Sequence, residues 1–475
     1  MKITISNLGP IREKAEIDLK PLTVLIGPNN AGKTWIAYTL AAIFSQRGWI
    51  EYTRGDRKEE VAREYPPIID AVDKIFAEGT ATIDLVEFAN DFGEMYFNNI
   101  ALYAREWLAE FMNTRLVQFD NLELCVDLAE IKADFLDQVL NAGLDMEMGV
   151  GISAGKRQPL LRVRKKPGQT NAFLYTFAEG EIEGKFPREE IEARLASGIL
   201  RILHGALYPN VVTLPTERTA FITFPFNALT DHFNKRMTSD IDKDSLQGIR
   251  LMNGPVRDFF FLALRTSEWG SKQMATRRKN VKYDPTIEEY DRLAQLLEKQ
   301  ILGGEVTFSE QEPDPKREIL FIPSESTISL EIPVTSSMVK ELTPLVFYLR
   351  YFAHSGNLLI IDEPEMNLHP EAQAKLIEFL AMLANAGLRV LITTHSPYMV
   401  DHLANLIAAD KCTDRDAASS QFFLKDSSAF IPQEKVAAYK VEQGKIENIL
   451  DEDGILNWGT FGNVSNRIIE IYGNL

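Results

Sequence analysis

The segment that most restricts what this chain can become is Gly27-Pro28-Asn29-Asn30-Ala31-Gly32-Lys33-Thr34, which fits the pattern G-x-x-x-x-G-K-[ST]. Short patterns recur by chance, so the flanks decide its meaning. Leu22 to Ile26 (LTVLI) is an apolar, β-branched run of strand length, and WIAYTLAAIF after Thr34 is an apolar helical stretch. Strand, glycine loop and helix, in that order, are what a phosphate-binding loop needs. Glycines let the backbone close around an anion with its N–H groups inward, and the helix N-terminus adds partial positive charge. The expected ligand of Gly27 to Thr34 is therefore a nucleoside triphosphate. Lys33 is expected to reach its β- and γ-phosphates, and Thr34 to offer a hydroxyl to Mg2+.

Such a loop requires a partner strand that ends in an acid. Asn357-Leu358-Leu359-Ile360-Ile361-Asp362-Glu363-Pro364 supplies it, with the apolar run of a strand buried on both faces. Asp362 is expected to hold Mg2+, directly or through water. Glu363 follows at once, so its carboxylate is expected to orient or deprotonate the attacking water. Pro370 then suits the first position of the helix EAQAKLIEFLAMLANAG, and Gly387 its end. LRVLITTHS is another buried strand. It closes on Thr394-His395-Ser396-Pro397, where His395 is expected to sense the γ-phosphate. Glu363 and His395 are thus the expected catalytic pair.

Taken together, IGPNNAGKT, IDEPEMNLHP and ITTHSPYMVDHL resemble the ABC-type ATPases, and in particular the branch with RecF, the structural-maintenance-of-chromosomes (SMC) proteins and the overcoming-lysogenization-defect (OLD) nucleases. The likeness covers roughly the first 45 residues and residues 315–410. Asn367-Leu368-His369 stands where transporter ATPases carry a different loop. The resemblance also implies a signature helix before the Asp362 strand, whose serine and glycine bind the γ-phosphate of ATP held by the other subunit. Thr335-Ser336-Ser337-Met338 occupies that place. Ser336 or Ser337 answers to the serine, while the glycine is missing. A serine at a helix start still makes an anion site, or else simply caps the helix. LPTERTAF, Leu214 to Phe221, resembles a further segment of this branch, and its Arg218 is expected to face the nucleotide or the partner subunit.

The expected fold class is α/β, an ABC-type ATPase head (a mixed sheet flanked by helices) with a large, mainly helical insertion. Thr34 and Asp362 are 328 positions apart, far more than a compact head needs. The head is expected over residues 1–50 and 304–430, an inserted helical and small antiparallel-sheet lobe over 51–303, and a C-terminal extension completing the head over 431–475. Residues 51–145 and 228–301 read as mostly helical. EMGVGISA, PLLRVRKK and NAFLYTFAEG read as strands, and PREEIEARLASGILRILHGAL as a helix. A last helix is expected near NVSNRIIEIYGNL. No internal repeat or long heptad array is present.

The net charge of −17 argues against a chain that coats nucleic acid with one basic surface. Two local clusters run against that trend: Lys156, Arg157, Arg162, Arg164, Lys165 and Lys166, and then Lys272, Arg277, Arg278, Lys279 and Lys282. Either is a candidate for DNA or RNA phosphates, or else a solvated turn and loop. Cys125 and Cys412 lie far apart without a CxxC, so neither a disulfide framework nor a zinc site is expected. The N-terminus has no signal-peptide pattern, and no apolar run approaches a membrane span, so a cytoplasmic protein without membrane contact is expected. The 80 residues after His395 are short for the metal-dependent nuclease domain that OLD proteins carry, and Asp451-Glu452-Asp453 reads as a solvated turn, so no nuclease is expected.

By the resemblance, the expected function is a dimerising ATPase switch with ATP and Mg2+ as its cofactors. Two copies would sandwich ATP and act through a separately encoded effector such as a nuclease, in bacterial anti-phage defence or DNA repair. Two alternatives stand beside it: a RecF-like ATPase that itself binds DNA, and an ATP-binding scaffold with little turnover.

Overall fold

The computed structural model describes residues 1–54, 58–152, 156–177, 187–223, 252–263, 265–266, 285–309, 318–457 and 470–471. The chain separates into two compact units. One comprises Met1–Ile5, Ala42–Ala109 and Gln118–Val211, and the other Ser6–Ala41, Glu110–Val117 and Val212–Leu475.

The second unit is built on a six-stranded mixed sheet. Its spatial order is Lys445–Asn448, Val436–Glu442, Leu22–Ile26, Arg389–Thr394, Leu358–Asp362, Val211–Leu214. The four strands from Val436–Glu442 to Leu358–Asp362 run parallel, and Lys445–Asn448 is antiparallel to its neighbour. Leu22–Ile26 and Leu358–Asp362 are buried at every position, as apolar strands covered on both faces must be. Alternate residues make one apolar face: Leu22, Val24, Ile26, Leu359, Ile361, Val390 and Ile392. They share one core with the helices Ser337–Tyr351, Pro370–Asn385 and Pro397–Asp410.

Each helix start follows from its local sequence. Ser336 and Ser396 cap theirs by accepting the N–H groups of Val339 and Met399. Pro370 and Pro397 stand at first helical positions. Gly387, at φ 97°, ends the Pro370–Asn385 segment, as expected of a residue that adopts left-handed backbone freely. A small antiparallel sheet, Gly304–Phe308, Ile319–Pro323 and the two-residue Leu330–Glu331, leads into the Ser337 helix.

In the first unit the helices Pro66–Glu78, Leu85–Phe111, Lys132–Asn141 and Arg188–Leu207 accompany a four-stranded antiparallel sheet. Its order is Thr80–Asp84, Asn171–Thr176, Lys156–Lys165, Leu144–Ile152. The reading of residues 51–145 as helical therefore needs correction at Thr80–Asp84 and Glu123–Asp127, which are strands. TATID is too short to show its period alone; it is extended because it pairs residue for residue with Asn171–Thr176, 91 positions away at Thr82–Phe173. The stretch expected to be helical near 228–301 lies largely outside the described residues, as does most of the expected last helix. Where described, it is helical at 254–263 and 265–266 and then over Thr286–Leu296, continued by a π-turn over Leu297–Leu302. No described helix is long and apolar enough to cross a membrane.

Candidate functional site

Parallel register builds the site. Ile26 lies opposite Thr394, and Thr393 opposite Asp362. The carboxyl ends of three neighbouring strands therefore stop at the same level and release Gly27, Glu363 and His395 into one crevice, where open parallel sheets bind ligands. The Arg389–Thr394 strand is the middle one, between the glycine-loop strand and the Asp362 strand.

The glycine loop is held closely against its neighbours. A Cβ on Gly27 would stand 2.0 Å from the Val441 carbonyl oxygen, and one on Gly32, at φ 111°, would stand 2.8 Å from Ile11 Cδ1. Only glycine fits either place. Pro28, Asn29 and Asn30 are exposed at the loop tip, Ala31 and Gly32 are buried, and Lys33 opens the helix Lys33–Phe44. Asn30 takes left-handed backbone at φ 62°, which asparagine tolerates well.

Lys33 is 4% exposed. Its ammonium donates to the carbonyls of Gly27 (2.9 Å) and Pro28 (3.0 Å) and meets His395 Nε2 at 2.9 Å. His395 Nε2 also lies 2.8 Å from Glu363 Oε1. Thr34 Oγ1 stands 3.1 Å from each carboxylate oxygen of Asp362. Thr393 donates its hydroxyl to the same carboxylate. Lys33, Thr34, Asp362, Glu363 and His395 thus form one connected cluster from three segments of the chain.

The electrostatics follow from burial and partners. Burial lowers the Lys33 pKa, opposed by Glu363, Asp362 and Glu365. Burial raises that of Asp362, opposed by the hydroxyls of Thr393, Thr34 and Tyr38. The hydrogen bond from His395 holds Glu363 below the ordinary carboxylate range, so this half-buried acid is ionised at neutral pH. A hydroxyl beside a carboxylate, as at Thr34 and Asp362, is a pair of hard oxygen donors of the kind Mg2+ takes, with its other positions left to phosphate and water. Among the described residues no group of three or more His, Cys, Asp or Glu makes a metal cluster by itself.

Ser336 and Ser337 stay apart from this cluster. Both are exposed, Ser336 Oγ accepts from Val339 N–H at 3.3 Å, and Ser337 is the first helical residue. Arg218 is turned inward. It is 1% exposed among backbone carbonyls and Glu341, so it faces neither a nucleotide nor a partner surface. A guanidinium taken out of water has to satisfy its donors with protein acceptors, and the carbonyls after the Asp362 strand provide them.

Several site residues escaped the motif reading: Tyr38, Thr393, Glu365 and Glu341. Glu365 Oε1 accepts from Thr394 Oγ1 (2.7 Å) and from His395 N–H (2.6 Å), which pins the backbone beneath His395. A signal was available in the two threonines that end an otherwise apolar buried strand, since buried hydroxyls need partners.

Of the first basic cluster, Lys165 is 2% exposed and donates to the carbonyls of Val139, Leu140 and Ala142 at 3.0, 2.8 and 2.6 Å, closing a helix C-terminus. Arg162 makes a two-pronged contact with Asp145 at 2.8 and 2.7 Å. Both cations are thus engaged within the protein, on a strand rather than in a loop. Lys272, Arg277, Arg278, Lys279 and Lys282 lie outside the described residues.

A strand, a glycine loop and a helix, faced by an acid-ended parallel strand, define a P-loop nucleotide-binding protein. The chain belongs to the AAA ATPase domain family, which matches at residues 1–110 and 230–400, more than half of its length. The expectation of a P-loop ATPase akin to the SMC, RecF and OLD proteins is met at that level. A stretch of 59 residues is 44% identical to the Old nuclease of Escherichia phage P2; it amounts to 12% of this chain and 10% of that protein. Solved structures of similar chain path include the Smc head domain with an extended coiled coil from Pyrococcus furiosus, bound to the C-terminal domain of ScpA. It is 16% identical, with 99% of this chain and 98% of that one covered and a TM-score of 0.36. Another is the SMC head domain of Thermotoga maritima, 11% identical, with 84% and 90% covered and a TM-score of 0.29.

Proposed function

We propose that this ATPase hydrolyses ATP with Mg2+ and uses the bound nucleotide to close on a second copy of itself. The observation that carries the reading is the link Lys33–His395–Glu363, formed by residues more than 300 positions apart and ending on an ionised carboxylate. Residues Gly27 to Thr34 wrap the triphosphate, with Lys33 turning from the Gly27 and Pro28 carbonyls to the β- and γ-phosphates. Thr34 and Asp362 would hold Mg2+, which would supply neutralisation of the phosphate charge. Glu363 takes a proton from the attacking water or orients it. His395, whose Nε2 lies within hydrogen-bond distance of both Lys33 and Glu363, is placed to feel whether a γ-phosphate has drawn Lys33 away.

Ser336 and Ser337, exposed at the start of their helix, are suited to meet the γ-phosphate of ATP on the other copy. The output passes to a separate effector, in anti-phage defence or DNA repair. That part of the reading rests on the motif resemblance alone.

The test is phosphate release by wild type and Glu363→Gln, with Mg2+ and with the metal chelated. The expected outcome is a rate at least ~100-fold lower for Glu363→Gln, with ATP still bound, as expected when a positioned general base is removed. Chelation should stop both proteins. A wild type no faster than the variant removes the catalytic role of Glu363 and favours the scaffold alternative.

A further inference from the structure

Glu363 has an unusual backbone. Its φ is 48°, a left-handed conformation that costs a side-chain-bearing residue on the order of 1 kcal/mol and persists only where neighbours fix it. Its N–H donates to Thr393, at 3.0 Å from Oγ1 and 3.2 Å from the carbonyl oxygen. Its carbonyl accepts from Arg218 Nη2 at 2.9 Å. The carbonyl of Asp362, one residue earlier, accepts from Arg218 Nη1 at 2.8 Å. One guanidinium therefore holds both carbonyls of the Asp362–Glu363 pair.

Arg218 makes three further contacts. Nη1 donates to the Pro215 carbonyl at 2.9 Å and Nε to the Glu341 carbonyl at 3.2 Å, while Nη2 lies 2.9 Å from Glu341 Oε2 as an ion pair. Glu341 is 1% exposed, and its other oxygen accepts from Asn367 Nδ2 at 3.0 Å. Asn367 is itself left-handed, at φ 60°, in the turn between the Asp362 strand and the Pro370 helix. Glu341 sits in the second turn of the Ser337–Tyr351 helix.

From this geometry we infer that Arg218, seated by Glu341, is a positioning residue for ATP cleavage. It acts through the backbone of Glu363 and ties that residue to the helix that begins at Ser337. The inference rests on Glu363 serving the chemistry. Arg218 is 1% exposed, with its nitrogens turned to protein acceptors. Its work is to keep a strained peptide turned so that the Glu363 carboxylate points at His395 and the crevice. A displacement of the Ser337 helix would move Glu341 and with it the grip of Arg218 on Glu363. Catalytic carboxylates tolerate displacements of only about 0.5 Å, so so direct a linkage suffices to gate turnover.

The experiment compares ATP affinity and turnover for wild type, Arg218→Lys, Asn367→Gly, Glu363→Gln and the double variant Arg218→Lys with Glu363→Gln. Lysine keeps the charge opposite Glu341, so no buried carboxylate is left unpaired, but its single nitrogen cannot span the separated carbonyls. Glycine at 367 suits the positive φ and deletes only the bond to Glu341. Arg218→Lys is expected to lower kcat roughly 10-fold or more with the Kd for ATP within about 3-fold, and Asn367→Gly to lower kcat about 2- to 5-fold, as for loss of groups that orient a catalytic residue. In the Glu363→Gln background, Arg218→Lys should add nothing.

The inference is overturned if Arg218→Lys weakens ATP binding as much as turnover, or if its effect persists in full on top of Glu363→Gln. If Arg218→Lys does not fold, Asn367→Gly carries the same test, and unchanged turnover there overturns the linkage. A failure of the underlying reading shows separately, as Glu363→Gln turning over like wild type.

Discussion

At the residue scale, the site is a contest between burial and charge that the cluster settles by pairing. Lys33 is almost fully enclosed, which lowers its pKa, and three acidic neighbours oppose that shift. Asp362 is 1% exposed and accepts hydroxyls from Thr34 and Thr393. Each charge is tolerable because another polar group stands within hydrogen-bond reach, and each becomes costly if its partner is removed. Lys33→Ala removes the one cation aimed at the outer phosphates. ATP affinity measured by titration calorimetry should fall at least ~100-fold, which corresponds to about 2.7 kcal/mol. An affinity within 3-fold of wild type would remove Lys33 from the phosphate site.

At the element scale, helix starts and strand ends set the chemistry. The serine that caps the Ser337 helix already spends its hydroxyl on Val339 N–H, so capping and anion binding compete for one oxygen. Replacing Ser336 and Ser337 together by alanine should cost about 1 kcal/mol of stability as a lost cap. It should also weaken ATP-dependent association in sedimentation while leaving ATP binding by a single copy unchanged. Equal association of wild type and variant would leave the two serines as structural caps and nothing more.

Strand register was only partly legible from the sequence. The apolar runs Leu22–Ile26 and Leu358–Asp362 stand out because a strand buried on both faces has no polar positions to blur it. Thr80–Asp84 did not stand out, because its strand state comes from its partner rather than from its own residues. Lys165 shows the same limit. In sequence it sits in a basic run, and in the fold its ammonium caps three carbonyls.

At the scale of the whole molecule, one buried imidazole gives the first unit a sensitivity to acid. The first unit buries His204 against Tyr96 Oη (3.1 Å) and the carbonyls of Phe44 (3.1 Å) and Ser45 (2.8 Å). Burial lowers its pKa from 6.5 to about 4. A depressed folded pKa means that the unfolded chain takes up the proton first. The contribution of His204 is therefore complete above about pH 6.5 and is lost as the pH falls toward about 4. At pH 5 the loss should be on the order of 2 kcal/mol, since each pH unit inside the window is worth about 1.4 kcal/mol. The urea midpoint, followed by tryptophan fluorescence, should drop between pH 7 and 5, and His204→Gln should flatten that dependence. An unchanged wild-type midpoint would show that the imidazole is not buried in its neutral form.

What the sequence by itself determined was every feature that depends on contiguous residues: the glycine loop, the acid-ended strand, the capped helices and the buried strand that stops at His395. Loop chemistry, burial period and capping are local, and eight to fifteen residues carry them. What the tertiary structure alone decided was which of these features touch. His395 meets Lys33 because Thr394 lies level with Ile26 across the sheet. Arg218 is turned to the Glu363 backbone because residues 215, 341, 362 and 363 together enclose its guanidinium. The partner of a buried charge is chosen by packing over more than a hundred residues of separation, and no local pattern of apolar and polar residues encodes that choice.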